Sequence, residues 1–311
     1  MQSDSRLLAL LYGAALGLLI PAGTAAAAAL ARRVRVHDTA DAFVAGFLAL
    51  RPKYLDALAA NMGQVLGRPA HHPEVLRLAR EAAFNNARAW ADLLRFGQRP
   101  RAEALALLAD VEGLEHLEAL RERGGILLTA HLGSFELGGL LLEHLGLKVH
   151  TVYKPDRFPV LERVRTRMRR LAGVEGIAVG DSAFAPLPVL ARLREGGLVA
   201  MQGDRDFNLT GLPVPFFGAE VPFPRGPWEL ALLTGAPVVE AYLFLDADRR
   251  FRARFHAPQI LAAGRNQRAE ILSKAMRGYA ARLEALVREH PEQWYCFYPF
   301  WDDPLRKDRN P

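Results

Sequence analysis

The chain has 311 residues, 50% of them hydrophobic, a formal net charge of +6 and one cysteine, Cys296. That supports one large domain or two small ones with a sizeable core, while a lone cysteine excludes an intrachain disulfide and a cysteine-rich zinc site. The basic balance suits nucleic acid, anionic lipid or acidic substrates without choosing among them.

Residues 7–30, "LLALLYGAALGLLIPAGTAAAAAL", carry no charge. A bilayer span takes about 20 apolar residues, so the stretch is long enough. Arg32, Arg33 and Arg35 follow it and little positive charge precedes it, which places the C-terminal side in the cytoplasm. The pattern predicts a membrane-anchor helix within residues 1–35, in the cytoplasmic (inner) membrane. A signal peptide and a buried or interface-lying helix are the alternatives. The length of the stretch and the single basic residue Arg6 ahead of it argue against the first.

Residues 36–110 read as a helical region that packs on the C-terminal domain. Helices are predicted over 41–50 and 54–65, parted by Pro52, and over 71–96. In the last, Pro73 stands near the first turn, and Val75, Leu78, Ala79, Ala82, Ala83 and Trp90 recur at helical spacing. His71 and His72 flank its start.

From about residue 111 short apolar runs alternate with helical patterns. "GILLTA", "LKVHTVY", "GIAV", "GGLVAMQ", "VPFF" and "APVVEAYLFL" read as strands, and "FRARFHA" as a strand of alternating character at an edge. Helices are predicted over 134–146, 159–173, 183–196, 226–235 and 266–290. Residues 111–311 thus form an α/β domain with a mixed, largely parallel sheet flanked by helices. In such sheets ligands bind beyond the carboxyl ends of the strands. Three polar clusters fall there: His131, Lys154, and the "GDRD" stretch with Asp204 and Asp206.

The stretch "GGILLTAHLGSFELGG" (residues 124–139) joins a buried strand to a helix. On one continuous helix His131 and Glu136 would point to separated sides at about 100° per residue, so the segment works as strand, loop, then helix. Gly133 permits the turn and Ser134 is the N-cap. Glu136, in the first helical turn, is expected to reach back to one ring nitrogen of His131. That would fix the tautomer and leave the other nitrogen as a general base for a hydroxyl. A capping carboxylate beside a satisfied loop histidine is the plainer alternative. No G-x-S-x-G elbow, H-E-x-x-H site, Walker A or G-x-G-x-x-G pattern is present.

The order of the blocks carries a resemblance. H-x4-E at His131 and Glu136 is followed by "VYKP", "RVRTRMRR", "GGLVAMQGDRD", "GLPVPFFG", "PRGPWELALLTGAPVV" and "HPEQWYCFYPFW". This resembles the lipid A biosynthesis (lauroyl/myristoyl) acyltransferase branch of the lysophospholipid acyltransferase superfamily. Phosphatidylinositol mannoside acyltransferases are near relatives. The resemblance covers most of the chain. It implies a glycerolipid acyltransferase-like fold with its catalytic domain on the cytoplasmic side. It further implies a membrane-associated enzyme moving a fatty acyl group from a thioester to a glycolipid hydroxyl.

By resemblance His131 is the base and Glu136 its acidic partner, while Lys154, Asp204, Arg205, Gly211, Phe216, Phe217 and Gly218 fall in the substrate-binding blocks. The family's Q-x-D reads "QGDRD" here, which leaves Asp204 and Asp206 both as candidates. The ending "FYPFWDDP" lacks the basic H-R-R-F of the lipid A enzymes, so the acceptor stays open among a lipid A precursor, a phosphatidylinositol mannoside and another glycolipid. The donor is an acyl carrier protein or coenzyme A thioester. No cofactor, metal or nucleic acid is called for.

The helix over 158–171 carries five arginines. They suit phosphate or lipid head groups, with Arg165 and Arg167 as the expected contacts; a solvated basic face is the alternative. Phe216, Phe217, Phe223 and Trp228 are either core or the wall of an acyl groove. Arg225 at a helix start calls for an anion nearby. In the expected reaction the alkoxide attacks the thioester directly. Backbone N–H groups of the 132–134 turn stabilise the oxyanion, with Lys154 or Arg205. A lipid ester hydrolase using the same pair is the alternative activity.

Overall fold

The computed structural model describes residues 36–96, 101–155, 159–171, 173–180, 185–207, 209–246, 248, 250–262, 264 and 267–302. Helices α1 (Val36–Leu50), α2 (Pro52–Leu66) and α3 (Pro73–Phe96) come first. Next come α4 (Arg101–Leu105), β1 (Leu108–Glu112), α5 (Glu118–Arg123), β2 (Gly125–Thr129), α6 (Phe135–His144), β3 (Val149–Tyr153), α7 (Pro159–Leu171) and β4 (Glu175–Ala178). The rest runs α8 (Leu187–Arg194), β5 (Leu198–Gln202), β6 (Leu212–Phe216), β7 (Ala219–Phe223), α9 (Gly226–Thr234), β8 (Val238–Leu245), β9 (Phe251–Phe255) and α10 (Arg268–Glu289). The predicted anchor, residues 7–30, lies outside the described residues. No helix among the described residues is long and apolar enough to cross a membrane.

Seven strands form one sheet in the order β1-β9-β8-β2-β5-β3-β4. Every pairing is parallel except β8 with β9. The sheet is therefore mixed and mostly parallel, as the alternating pattern predicts. Alternate residues of β2 explain the layering. Ile126 and Leu128 face a core shared with Val189, Trp228, Met276 and Tyr279, which also takes in Leu58, Met62 and Val75 from α2 and α3. Leu127 faces the other way, toward Leu93, Leu137, Leu140 and Leu141. A strand buried on both faces has no polar side, hence its unbroken apolar run.

Three expectations are corrected. β9 lies between β1 and β8 rather than at an edge. β1, "LADVE", is the edge strand on that side, with β4 at the other edge, and its exposed, charged alternation hides it in the sequence. The "VPFF" run joins no strand of the main sheet; it forms β6 of a separate hairpin with β7. Pro52 begins α2 rather than lying between two helices, since its missing N–H costs nothing in a first turn.

Candidate active site

β2 and β5 pair in parallel with Thr129 opposite Gln202. Two residues further along that register, His131 comes beside Asp204. The Gly203 N–H donates to the Thr129 carbonyl at 2.8 Å and carries the ladder past the strand ends. Asp204 is 3% exposed and spends both oxygens on His131. Oδ2 accepts the backbone N–H at 3.0 Å, and Oδ1 lies 2.9 Å from Nδ1. Burial by itself would raise the Asp204 pKa. The charge, ring and backbone N–H of His131 outweigh it and hold the carboxyl below its ordinary value. A carboxylate on Nδ1 favours the tautomer that leaves Nε2 bare. Among the described residues nothing is bonded to Nε2, and the side chain is 24% exposed.

The carboxylate on the ring is thus Asp204, and the expected contact from Glu136 is corrected. Glu136 stands in the first turn of α6. Burial pushes its carboxyl up to about 8, against the pull of its own backbone N–H and of Arg165. Such a group is mostly protonated at neutral pH. Ser134 takes the N-cap position, without a side-chain cap hydrogen bond.

Backbone pairing holds the His131 loop in place. The Gly133 N–H donates to the Gln293 carbonyl at 2.8 Å, the Ser134 N–H to the Leu243 carbonyl at 2.7 Å, and the Tyr295 N–H to the His131 carbonyl at 2.8 Å. Leu132 and Trp294 form an antiparallel bridge. This gives the "PEQW" block a physical role as a strap laid along the loop. The Gln293 amide closes on β8, donating to the Leu245 carbonyl at 2.7 Å and accepting its N–H at 3.0 Å. Gly133 has φ +67°, and a Cβ there would sit 2.1 Å from the Leu243 oxygen. The N–H groups of Gly133 and Ser134 are already committed. The turn therefore lacks the pair of free donors expected for the oxyanion.

The other expected residues fall into three groups. Lys154 is exposed directly after β3, and Arg165 and Arg167 are exposed on α7. Arg169 is drawn inward instead, 3.6 Å from the centre of the Tyr153 ring and bonded to Glu162 at 2.6 Å. Arg205 follows Asp204 and is flanked by the Tyr298 and Phe207 rings at 4.0 and 4.4 Å. Asp206, the second aspartate of "QGDRD", accepts the Gly211 N–H at 2.7 Å and serves its own loop.

The "FFG" block is a hairpin turn. Phe217 and Gly218 both have positive φ, 49° and 77°, as a two-residue turn of this hand requires. Phe217 tolerates this because Glu284 accepts its N–H at 2.5 Å and Gln64 donates to its carbonyl at 2.9 Å. Phe216 is fully buried and meets the rings of Phe223, Trp294, Phe300 and Trp301. In this structure Phe216 and Phe217 are interior. Arg225 at the α9 start meets its anion within one turn, Glu229 at 3.5 Å.

Asn61 and Tyr298 carry no functional signal in the sequence. Asn61 of α2 is 1% exposed; its amide donates to the Cys296 and Tyr298 carbonyls at 2.8 Å each, and its oxygen accepts the Phe300 N–H at 2.9 Å. Tyr298, so fixed, supports Arg205. Burial pushes the nearby Cys296 thiol up to about 12, so it is no nucleophile near neutral pH.

A sequence-family model described as bacterial lipid A biosynthesis acyltransferase matches residues 12–302. The chain belongs to that family. It is therefore an acyltransferase, and the strand-end histidine lies within the matched span. A phosphatidylinositol mannoside acyltransferase of Mycolicibacterium smegmatis is 26% identical over 258 residues, covering 82% of each chain. One from Mycobacterium tuberculosis is 27% identical over 259 residues, 82% of this chain and 79% of the relative. A lipid A biosynthesis acyltransferase of Haemophilus influenzae is 25% identical over 186 residues, 58% of this acyltransferase and 55% of the relative.

Proposed function

We propose that this acyltransferase moves a fatty acyl group from a carrier-protein or coenzyme A thioester to a hydroxyl of a glycolipid, with His131 as general base. The observation that carries the reading is the buried Asp204 on Nδ1 with Nε2 bare. Nε2 takes the proton of the acceptor hydroxyl, and the new alkoxide attacks the thioester carbonyl. The C–S bond breaks and the thiolate leaves with the proton from the imidazolium. Asp204 is a positioning residue that sets the tautomer and stabilises the imidazolium. Glu136 does not carry the charge that this step needs at neutral pH. Its place in the site is the first turn of α6, beside the reach of Arg165.

The acceptor is a glycolipid, either a phosphatidylinositol mannoside or a lipid A precursor. The mannoside reading draws support from the longer matches to the mycobacterial relatives. The reaction belongs at the cytoplasmic face of the inner membrane, reached through the apolar stretch at residues 7–30 and its following arginines. Lipid mass spectrometry of cells with the wild-type chain, with H131A and without the protein tests the reading. An acylated glycolipid that appears only with wild type is expected. Unchanged product from H131A would overturn it, and free fatty acid without acylated lipid would make the enzyme a hydrolase.

A further inference from the structure

Arg205 stands between two aspartates that are both pinned inward. Asp204 is 3% exposed and bound to His131; Asp206 is 6% exposed and bound to the Gly211 N–H. With its neighbours fixed, the backbone has no freedom to swing Arg205 into the core. Its guanidinium instead sits by the Tyr298 and Phe207 rings, 4.0 and 4.4 Å from their centres. Among the described residues, no carboxylate or carbonyl takes any of its N–H groups. The other arginines near the strand ends differ: Arg169 is spent on Glu162, Arg225 on Glu229 and Arg282 on Glu240.

An arginine in this state is pre-organised and unspent. Ring stacking restrains the plane of the guanidinium and leaves its N–H edge open, which is the geometry of a two-pronged bond to a tetrahedral oxyanion. Arg205 is half-buried and Phe207 is 46% exposed, so the ring-flanked guanidinium stays within reach of a ligand from solvent. The clamp is itself held from a distance, since Tyr298 belongs to the segment that Asn61 fixes through three hydrogen bonds. A group seated on Arg205 lies one residue from the aspartate that orients the general base.

We infer that Arg205, clamped by Tyr298 and Phe207, is a receptor for a phosphate ester on one of the two substrates. This rests on the acyltransferase reading and adds to it a ligand class. The same chemistry has two sources: the phosphate of the phosphopantetheine arm of a thioester donor, and the phosphate of an anionic glycolipid acceptor.

The test measures binding, so it stands apart from whether transfer occurs. The full-length protein in detergent is titrated with two probe pairs. The donor pair is the S-dodecyl thioether of 4′-phosphopantetheine against S-dodecyl pantetheine. The acceptor pair is phosphatidylinositol against an uncharged glycosyl diacylglycerol, each in mixed micelles. Wild type is expected to favour the phosphate-bearing member of one pair by roughly tenfold or more, the worth of a charge-assisted bond. R205Q should erase that preference in the same pair, and R205K should restore part of it, since charge returns without the fork. Tyr298→Leu should lose part of it while keeping the arginine. The pair that responds names the source. If R205Q leaves both preferences at their wild-type values, the inference is wrong, whatever H131A does to turnover. Should R205Q unfold, R205K and Tyr298→Leu decide, and no loss of preference in either would be equally fatal.

Discussion

The end of β5 and the first turn of α6 each supply a carboxyl close to His131 along the fold or the chain, one buried and one half-buried, and they keep it in opposite states. Asp204 is buried and ionised, because a ring nitrogen and a backbone N–H of the same histidine satisfy both oxygens. Glu136 is pushed up to about 8, because burial meets only its own N–H and the charge of Arg165. Loss of water raises both, although Asp204 is buried and Glu136 half-buried, and what differs is whether hydrogen-bond donors are fixed against the carboxylate. Proximity along the chain does not choose the partner of His131; strand register does.

The largest effects should come from breaking that pairing. H131A should lower transfer by about 10³-fold or more, and D204N, which keeps the shape and removes the charge, by about 10²-fold or more. E136Q replaces one neutral group by another and should keep activity at pH 7 within about tenfold of wild type. Initial rates on one acyl thioester measure all three. A larger loss in E136Q than in D204N would reverse the roles of the two carboxyls.

Next in size are changes to the strap. Gln293→Leu strands the Leu245 N–H and C=O that the amide now satisfies, at about 1–3 kcal/mol of stability. It should also lower kcat more than it raises KM, because the His131 loop hangs from the Gln293 carbonyl. Gly133→Ala should cost more than the strap change, since the new Cβ would fall 2.1 Å from the Leu243 oxygen. Thermal melts and steady-state kinetics separate the two effects.

The alternation of apolar runs makes most strands and helices legible from the residues alone. β2, β5 and β8 read as largely hydrophobic stretches, and α3 shows its core stripe from Val75 to Ala83. What stays hidden is pairing. Nothing in "FRARFHA" says that it lies between two strands, and nothing in "VPFF" says that its partner is a hairpin arm. The same gap misdirects the histidine: Glu136 is five residues away, Asp204 lies two residues past the end of another strand, and only the Thr129–Gln202 register brings the second one in. Gln293 and Asn61 are invisible for a related reason. Their work is done on distant backbone, and an amide that binds backbone leaves no pattern at its own position.

The two carboxyls also predict opposite pH dependences of stability. Asp204 titrates below the usual ~3.9 of an unfolded aspartate, so its contribution is present above that value and is lost as pH falls through its folded value. Glu136 keeps its proton to about pH 8, whereas an unfolded glutamate loses it near ~4.3. Between these values the folded chain binds more protons, so wild-type stability declines as pH rises. E136Q cannot ionise. Its melting temperature relative to wild type should climb from pH 4 to pH 8 and then level off, while D204N should show no such climb. A flat difference for E136Q across that range would mean that Glu136 is ionised like an ordinary surface carboxylate.

The smallest effect is also the most specific. Arg165 is the side-chain charge that pulls the Glu136 value down. R165Q should therefore move it further up and shift the E136Q-against-wild-type plateau to higher pH. Asp204 should stay where it is, since burial, His131 and its own backbone N–H are what set its value. Carbon-13 NMR of the Glu136 carboxyl in wild type and R165Q reads the shift directly. An unmoved Glu136 titration would place Arg165 outside its field. The exposed end of α7 would then be a basic surface independent of the site, and the donors that His131 fixes on Asp204 would alone separate the two carboxyls.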